Sequence, residues 1–231
     1  MNTEYNKETI EPLLGIKRVL VMTAVDAERD AVQRGLQGDS RFEVLSAGVG
    51  PVEAAVTTAA ILAGAKHTYD LVVCAGIAGG FKGQADIGSL VVASEIVAAD
   101  LGAETPDGFL SLDELGFGTA RIAVATELAG HVTEALRNAG LQARSGPVLT
   151  LSTVTGTAEA ATELALRVPG AAAEGMEGFG IAAAARKFGV PVLEIRSISN
   201  SVGPRDKAAW RIGEALKSLE AASTVLMEVL K

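Results

Sequence analysis

Short apolar runs alternate with longer, alanine-rich stretches along almost all of this chain, and this alternation restricts the fold more than any other feature. The apolar runs predict strands at 18–25, 42–46, 70–75, 89–97, 147–153 and 190–199, with a short strand at 171–175. The stretches between them predict helices at 26–36, 52–63, 127–138, 158–166, 177–188 and 206–230. Continuously apolar strands that alternate with helices are typical of an α/β fold with a largely parallel sheet covered on both faces.

The length and composition indicate one globular domain. The chain has 231 residues, of which 48% are hydrophobic, enough for a sizeable core. No change of composition and no Pro/Ser-rich linker divides the chain, so we expect a single domain over 16–231. Residues 1–15 are polar and lack the long apolar centre of a signal peptide, so we expect a disordered or tail segment there.

The charge pattern and the cysteine content argue against several partners. The formal net charge is −8 and no Lys/Arg cluster could follow a phosphate backbone, so we expect no nucleic-acid partner. No apolar run approaches the ~20 residues that span a bilayer, so we expect no membrane partner. The single cysteine, Cys74, rules out an internal disulfide, and its apolar surroundings favour a core role over a nucleophilic one. We therefore expect a cytoplasmic protein.

The common cofactor and metal motifs are absent from the sequence. There is no phosphate-binding loop, serine elbow or zinc-binding helix motif, and Gly48-Val49-Gly50 lacks the third Gly of a dinucleotide fingerprint. His67 and His131 lie far apart, and neither has a neighbour at metal-ligand spacing. We expect neither a metal nor an organic cofactor, so any chemistry must rely on carboxylates, amides and backbone groups.

Polar or glycine-rich segments lie at three places where strands are predicted to end, and ligands bind at such ends in open α/β sheets. In the first segment, 23–29, Glu28 either caps the start of a helix or faces a ligand. The second, 76–80, has three glycines, which fit either a tight turn or a close approach of a ligand to the backbone. In the third segment, 174–178, Glu177 follows Met176. A carboxylate at this position can accept hydrogen bonds from two vicinal ribose hydroxyls.

Asn200 follows the apolar run 190–195 by a few residues and lies at the carboxyl end of the last predicted strand. An amide in this position can accept one hydrogen bond and donate another. That pair of bonds matches the N7–H and O6 edge of hypoxanthine or guanine, whereas an Asp would suit a 6-aminopurine better. Given the predicted fold, Asn200 therefore indicates a 6-oxopurine ligand.

Four segments in order resemble the signatures of the purine nucleoside phosphorylase/nucleosidase superfamily: 46–50, 76–80, 175–178 and 195–200. Three more resemble the branch that hydrolyses futalosine in a menaquinone pathway: 100–109, 151–157 and 199–206. The resemblance covers nearly the whole chain and implies a three-layer αβα sandwich with a twisted, mostly parallel mixed central sheet. It also implies a homo-oligomer, a dimer or a tetramer, because a neighbouring subunit commonly completes the site in this superfamily.

The resemblance also assigns roles to individual residues. It implies that Glu28 engages the nucleophilic water and that Asn200 stabilises the departing base, so these are the expected catalytic residues. The expected substrate-binding residues are Gly76, Ile77, Ala78, Thr153, Val154, Met176, Glu177 and Arg196. Among them, the pair 176–177 matches the ribose contacts, and the pair 153–154 falls in the segment that faces the base.

The function that the resemblance implies is hydrolysis of the N-glycosidic bond of futalosine, a small-molecule nucleoside, with water as co-substrate. The products are hypoxanthine and dehypoxanthinyl futalosine. One alternative is phosphorolysis of a 6-oxopurine nucleoside, for which Arg29 and Arg196 are the candidate phosphate ligands. Another alternative is a nucleoside-binding protein without catalytic activity.

The 5′ side of futalosine carries an aromatic carboxylate, which needs an apolar slot and a cationic or amide partner. The candidates in the sequence are Phe81, Lys82, Phe109, Phe117 and Arg205. The segment 100–119 is glycine-rich and long for a loop, so it is expected to be a lid, an interface loop or a plain surface excursion.

Overall fold

Strands and helices alternate along the folded chain, and the computed structural model describes residues 15–231. The strands are β1 (Val19–Thr23), β2 (Phe42–Ser46), β3 (Leu71–Gly80), β4 (Leu90–Ala98), β5 (Gly102–Thr105), β6 (Gly108–Ser111), β7 (Arg121–Ala123), β8 (Ala143–Thr150), β9 (Ala173–Gly175) and β10 (Val192–Ser201). The helices are α1 (Asp26–Leu36), α2 (Pro51–Gly64), α3 (Thr126–Asn138), α4 (Ala158–Arg167), α5 (Gly178–Lys187) and α6 (Ile212–Val229). The expected tail at 1–15 lies outside the described residues, apart from Gly15.

Eight strands form one mixed sheet that is partly closed on itself. Its order is β10-β4-β8-β9-β3-β1-β2, with β7 paired to β4. Because β10 also pairs with β3, the strands β3, β10, β4, β8 and β9 form a ring from which β1 and β2 extend. Neighbours are parallel in the pairs β1–β2, β1–β3, β3–β10, β4–β8 and β8–β9, and antiparallel in β4–β10, β3–β9 and β4–β7. The predicted α/β fold with a mostly parallel mixed sheet is confirmed.

The helices pack around the sheet in two groups. Helices α1 and α3 both contact α6, whereas α2 packs against α5. The approach of α2 to α5 is so close that a Cβ on Gly180 would lie 2.0 Å from the backbone oxygen of Pro51. All five residues of β1 and the first six of β3 are buried, and they are mostly aliphatic. These two strands therefore contribute mainly core side chains to the faces of the sheet.

The segment 76–80 is the last part of β3 and not a tight turn. Its residues pair with β10, and its last two also pair with β9. A Cβ on Gly76 would lie 2.7 Å from Glu28 Oε1, and one on Gly80 would lie 2.2 Å from the backbone oxygen of Ala85. These two glycines are therefore needed because side chains and backbone approach the strand closely, a requirement that glycine content alone cannot distinguish from a turn.

Two other predictions of secondary structure need correction. The terminal helix begins at Ile212 rather than at 206, because the Asp206 side chain caps a short 3₁₀ turn, Lys207–Ala209. Trp210 then adopts an extended conformation with φ −69° and ψ 132° before the helix starts. The expected loop at 100–119 contains the antiparallel hairpin β5–β6, so part of this segment has regular structure.

The structure offers neither a membrane span nor a metal centre within residues 15–231. No helix there combines the length and the apolar character needed to cross a bilayer. Nor do His, Cys, Asp and Glu side chains in this part of the chain form a group of three or more that could hold a metal ion. Cys74 is buried in β3, and this burial raises the pKa of its thiol well above the usual value, so it is a poor nucleophile.

Candidate active site

A cavity of about 200 Å³ opens at the carboxyl ends of β1, β3 and β10. Its wall includes the carboxylates of Glu28, Glu174 and Glu177 and the amide of Asn200. A larger cavity of about 470 Å³ lies at the opposite end of the sheet, and its lining is mainly apolar. There, Asp70 already accepts hydrogen bonds from two backbone N–H groups. The smaller cavity is the candidate site, because convergent polar groups lie where α/β sheets bind ligands.

Glu28 is the third residue of α1, and its buried carboxylate connects the helix to β3. Oε2 accepts hydrogen bonds from the N–H groups of Ala24 (2.9 Å) and Val25 (3.3 Å), which caps the helix. Oε1 accepts a hydrogen bond from the N–H of Ile77 at 2.8 Å, at the cavity wall. Burial raises the pKa of Glu28 above its usual value, although the charge of Arg196 and the backbone donors act in the opposite direction.

Glu177 immediately precedes α5 and lies beside the start of α2. Its Oε1 accepts a hydrogen bond from the N–H of Gly50 at 3.2 Å, and its Oε2 accepts one from the N–H of Met176 at 3.3 Å. Gly50 has a φ of 91°, a conformation that favours glycine. The segment 46–50 therefore contributes a backbone donor that fixes Glu177, and the acid lines the cavity together with Met176.

Arg196 lies behind the cavity wall rather than in it, and only 1% of its surface is exposed. Its Nε donates a hydrogen bond to Glu194 Oε1 at 2.8 Å, and its Nη1 lies 3.5 Å from Glu177 Oε2. Its Nη2 also donates to Cys74 Sγ at 3.2 Å. Because a guanidinium stays protonated, Arg196 places a permanent positive charge between the buried carboxylates and orients them.

Glu194 is a buried partner of Arg196 that none of the sequence motifs reveals. The residue is 0% exposed, and its Oε2 has no hydrogen-bond partner within residues 15–231. Burial raises the pKa of Glu194, although the Arg196 charge acts in the opposite direction. A Cβ on Gly178 would lie 2.3 Å from Glu194 Oε1, and one on Gly175 would lie 3.0 Å from Arg196 Cζ. These two glycines thus leave room for a buried ion pair.

Asn200 lies just after an irregularity in β10. The pairing of β10 with β3 is regular as far as Ile198, and the register then shifts so that Ser199 is an extra residue. Such bulges change the direction of the side chains that follow. Asn200 Oδ1 accepts a hydrogen bond from Ser199 Oγ at 2.8 Å, and its Nδ2 donates to the backbone oxygen of Ser201 at 3.0 Å. Each end of the amide keeps one further bonding capacity for a ligand.

The loop after β8 is attached to β9 through Glu174. The Thr155 N–H donates to Glu174 Oε1 at 2.9 Å, and the Thr155 hydroxyl also bonds to this carboxylate. Burial raises the pKa of Glu174 above its usual value, against the effect of both bonds. Val154 and Thr155 line the cavity as a result, whereas Thr153 is exposed and does not.

The cavity brings together most of the residues that the sequence analysis selects. Those that line it are Glu28, Ile77, Ala78, Val154, Met176, Glu177 and Asn200. Those that do not are Gly76, Thr153 and Arg196, of which the first and last lie behind the wall. The lining residues that the sequence analysis does not select include Thr155, Glu174 and Trp210. Glu174 and Thr155 lie in segments that the sequence analysis selects, 174–178 and 151–157, although neither residue is singled out there, and nothing in the local sequence marks Trp210.

Comparisons with known proteins identify the superfamily to which this chain belongs. A family model described as the phosphorylase superfamily matches residues 23–231. A crystal structure of 5′-methylthioadenosine/S-adenosylhomocysteine nucleosidase from Neisseria meningitidis, in complex with methylthio-immucillin-A, shares the fold, with a TM-score of 0.75 and 22% identity over 93% of this chain and 98% of that chain. The native structure of futalosine hydrolase from Helicobacter pylori also shares it, with a TM-score of 0.75 and 19% identity over 93% and 97% of the two chains. The chain belongs to the phosphorylase superfamily.

Closer relatives define the branch of that superfamily. The futalosine hydrolase of Streptomyces coelicolor is 52% identical in an alignment that covers 92% of this chain and 96% of that protein. The futalosine hydrolase of Acidothermus cellulolyticus is 46% identical in an alignment that covers 92% of this chain and 91% of that protein. Within the superfamily, the chain belongs to the futalosine hydrolase family.

Proposed function

We propose that this protein is a futalosine hydrolase, which cleaves the N-glycosidic bond with water and releases hypoxanthine and dehypoxanthinyl futalosine. The observation that carries the proposal is the convergence of two buried carboxylates, Glu28 and Glu177, and the amide of Asn200 on one cavity. The family relationship supports the same reaction. The menaquinone pathway, which the sequence resemblance implies, is the setting that we propose for it.

The proposed general base, which accepts a proton from the attacking water, is Glu28. As the glycosidic bond lengthens, the ribose gains positive charge, and a carboxylate at the cavity wall stabilises this charge. Its ionised form also accepts a proton from the attacking water, a contribution of about 10²–10⁴-fold in typical enzymes. Three backbone donors hold the carboxylate in one orientation, which supports this role.

The proposed ribose contacts are Glu177 and Met176. The Glu177 carboxylate has acceptor capacity left beside its bonds to backbone N–H groups, so it can accept hydrogen bonds from the 2′ and 3′ hydroxyls. The thioether of Met176 supplies an adaptable apolar surface for the sugar ring. Arg196 acts through Glu177 in this proposal, because it is buried behind the carboxylate and does not line the cavity.

Asn200 is the proposed contact to the leaving base. The free acceptor capacity of Oδ1 suits N7–H of hypoxanthine, and the second N–H of Nδ2 suits O6. Hydrogen bonds that form only as N7 takes a proton stabilise the transition state more than the bound substrate, which is the requirement for catalysis. The same polar groups reject a base that cannot satisfy them.

The arrangement of the cations supports hydrolysis over phosphorolysis. A phosphate dianion needs cationic or backbone donors that are free to receive it. Arg29 pairs with two neighbouring aspartates of α1, and Arg196 is buried and bonded to Glu194. The N–H of Ile77, near the glycine-rich end of β3, already donates to Glu28. Because these donors are already engaged, the cavity suits water better than phosphate as the nucleophile.

The test is a chromatographic assay of free base from futalosine, inosine, adenosine and methylthioadenosine, each in phosphate-free buffer and in buffer with inorganic phosphate. We expect hypoxanthine from futalosine at the same rate in both buffers. A requirement for phosphate, with formation of a ribose 1-phosphate product, would identify a phosphorylase instead. Tight binding of futalosine without release of base would identify a binding protein.

We also propose that the protein works in the cytoplasm as a homo-oligomer, a dimer or a tetramer. The outer surface of α2 supports an interface between copies, because Val52 and Val56 are 75% and 63% exposed. Gly50, which immediately precedes this helix, donates to Glu177, so an interface on α2 would adjoin the site. Light scattering after size exclusion measures the oligomeric state, and a monomer at micromolar concentration would contradict the proposal.

A further inference from the structure

The segment after β10 forms one rim of the cavity. We define this rim segment as residues 202–211. It begins with Val202 and ends shortly after Trp210, and both of these residues line the cavity. Val202 N–H donates to the backbone oxygen of Gly80 at 2.8 Å, and Arg211 N–H donates to that of Ser199 at 2.8 Å. The rim segment is thus held at both ends to strands of the site.

An arginine in the rim segment faces its tryptophan. The guanidinium carbon of Arg205 lies 5.4 Å from the centre of the Trp210 ring, within the range of a cation–π contact. Arg211, in the same segment, pairs with Glu214 at 3.9 Å. No such pair involves Arg205 in the region 15–231, so its exposed charge is available to a ligand.

The acidic lining of the cavity favours a further cation near the path of an anionic substrate. Glu28, Glu174 and Glu177 line the wall, and Arg196 behind it is already bonded to Glu194. A carboxylate that enters this cavity is therefore repelled unless a further cation lies near its path. An arginine can receive a carboxylate through two parallel hydrogen bonds, and an adjacent indole can stack on an aryl ring.

We propose that Trp210 and Arg205 form the subsite for the aromatic carboxylate on the 5′ side of the substrate. Trp210 stacks on the aryl ring, and Arg205 binds the carboxylate. This inference rests on the proposed function, because futalosine carries that group. The aromatic candidates from the sequence are placed less well than Trp210: Phe81 is 3% exposed, Phe109 is covered by Arg167 at 3.7 Å, and Phe117 is 79% exposed, and, unlike Trp210, none of these three lines the cavity.

Steady-state kinetics on two substrates test the subsite. Inosine has the same base and ribose as futalosine but lacks the aryl carboxylate. We expect Arg205→Ala to raise the KM for futalosine about 10- to 100-fold, the usual effect of losing a charged hydrogen bond, with kcat little changed. Hydrolysis of inosine should be unaffected. Arg205→Lys should restore part of the affinity, because it keeps the charge but not the two-pronged geometry.

Lys207→Ala is the matched control, since Lys207 is another exposed cation of the rim segment, and its contact with Trp210 is a hydrogen bond from the Trp210 N–H to the Lys207 backbone oxygen, which the substitution keeps. This variant should have unchanged kcat and KM for both futalosine and inosine. An equal loss of activity on futalosine and inosine in Arg205→Ala, or an unchanged KM for futalosine, would overturn the subsite. Equal effects of Arg205→Ala and Lys207→Ala on futalosine would also overturn it, because they would indicate a general charge effect.

A binding experiment separates failure of the subsite from failure of the proposed function. Trp210 is the only tryptophan in the chain, so its fluorescence reports on the rim segment. Benzoate should quench it saturably in the wild-type protein and in Lys207→Ala, and more than about tenfold more weakly in Arg205→Ala. Neutral benzamide should not reproduce the effect. Absence of saturable quenching, or equal quenching in Arg205→Ala, would overturn the subsite even if futalosine is hydrolysed. Quenching as expected without hydrolysis of futalosine would reject only the proposed function.

Discussion

At the residue scale, Glu28 combines two roles that its sequence context leaves as alternatives. Its Oε2 caps the first turn of α1, and its Oε1 bonds to the N–H of Ile77 at the cavity wall. Because three backbone donors fix the carboxylate, it needs little reorientation when a water binds beside it. The capping geometry therefore prepares the acid for the proposed chemistry.

Glu28→Gln tests this role while preserving the size and polarity of the side chain. We expect kcat for hypoxanthine release to fall by about 10²–10⁴-fold, because the amide cannot accept the proton of the water. The KM should change little, since the ribose and base contacts remain. Glu159→Gln, on an exposed part of α4, should keep full activity in the same chromatographic assay. A loss in kcat below about tenfold would show that Glu28 is not the base.

Asn200→Asp tests the contact to the base. The change replaces a donor with a second acceptor, so it removes the bond to O6 and creates one for an exocyclic amino group. We expect kcat/KM to fall about 10- to 100-fold for futalosine and to rise for its 6-amino analogue, the effect of exchanging one polar contact. Competition between the two nucleosides in one reaction measures the ratio directly. An unchanged ratio would disprove the assignment of Asn200 to the base.

The sequence predicts the residues that carry their own chemistry better than those selected by tertiary contacts. Glu28 and Asn200 are recognisable because an acid or an amide at the end of an apolar strand is typical of a ligand site, and both line the cavity. Thr155 is not recognisable, because it reaches the site through a bond to Glu174, which is 19 positions away. Trp210 is missed because the helical pattern of 206–230 hides the 3₁₀ turn that precedes α6.

At the scale of elements, the first residue of α5 packs against Glu194, a buried acid of β10. Gly178 is the first residue of α5, and its Cα lies so near Glu194 that a Cβ would be 2.3 Å from the carboxylate. A helix N-terminus stabilises a nearby anion through its free N–H groups and dipole. The close approach therefore helps Glu194 to remain in the core beside Arg196, which in turn orients Glu177.

Gly178→Ala tests this packing. Alanine favours a helix by about 1 kcal/mol over glycine, but here its Cβ must displace Glu194 from Arg196, and breaking a buried ion pair costs about 3–5 kcal/mol. We expect the free energy of unfolding to fall by about 2–4 kcal/mol, as measured by urea denaturation. Gly130→Ala is the matched control, because Gly130 is in the exposed part of α3 with no atom near its Cβ position. It should stabilise the protein by up to about 1 kcal/mol. Equal stability changes in the two variants would refute the packing argument.

The sequence predicts the helices and strands that have a clear hydrophobic periodicity. It does not predict those that depend on close tertiary contacts. The alternation of apolar runs and helical stretches predicts the order of most strands and helices, which the structure confirms. It does not predict that 76–80 continues β3, because that depends on Glu28 and Arg196 packing beside Gly76. Nor does it predict β7, since three residues are too few for a periodic signal.

At the scale of the whole molecule, buried acids couple folding to the proposed chemistry. Burial raises the pKa of Glu28 and Glu174 above their ordinary value of 4.5. Each carboxyl therefore binds its proton more tightly in the folded than in the unfolded state. Its contribution to stability is complete below pH 4.5 and is lost as the pH rises through the raised value. The reaction has the opposite requirement, because Glu28 must be ionised to accept a proton.

Stability and activity should consequently change in opposite directions as these carboxyl groups ionise. We expect the free energy of unfolding in urea to decrease as the pH rises above 4.5, while kcat/KM for futalosine increases over the same interval. Glu174→Gln removes one of the two groups but keeps a donor and an acceptor for Thr155, so the decrease in stability should be smaller in this variant. Its activity should still increase with pH, because Glu28 is intact. If the wild-type protein instead became more stable over this interval, or if Glu174→Gln had the wild-type slope, burial would not control the protonation of these acids.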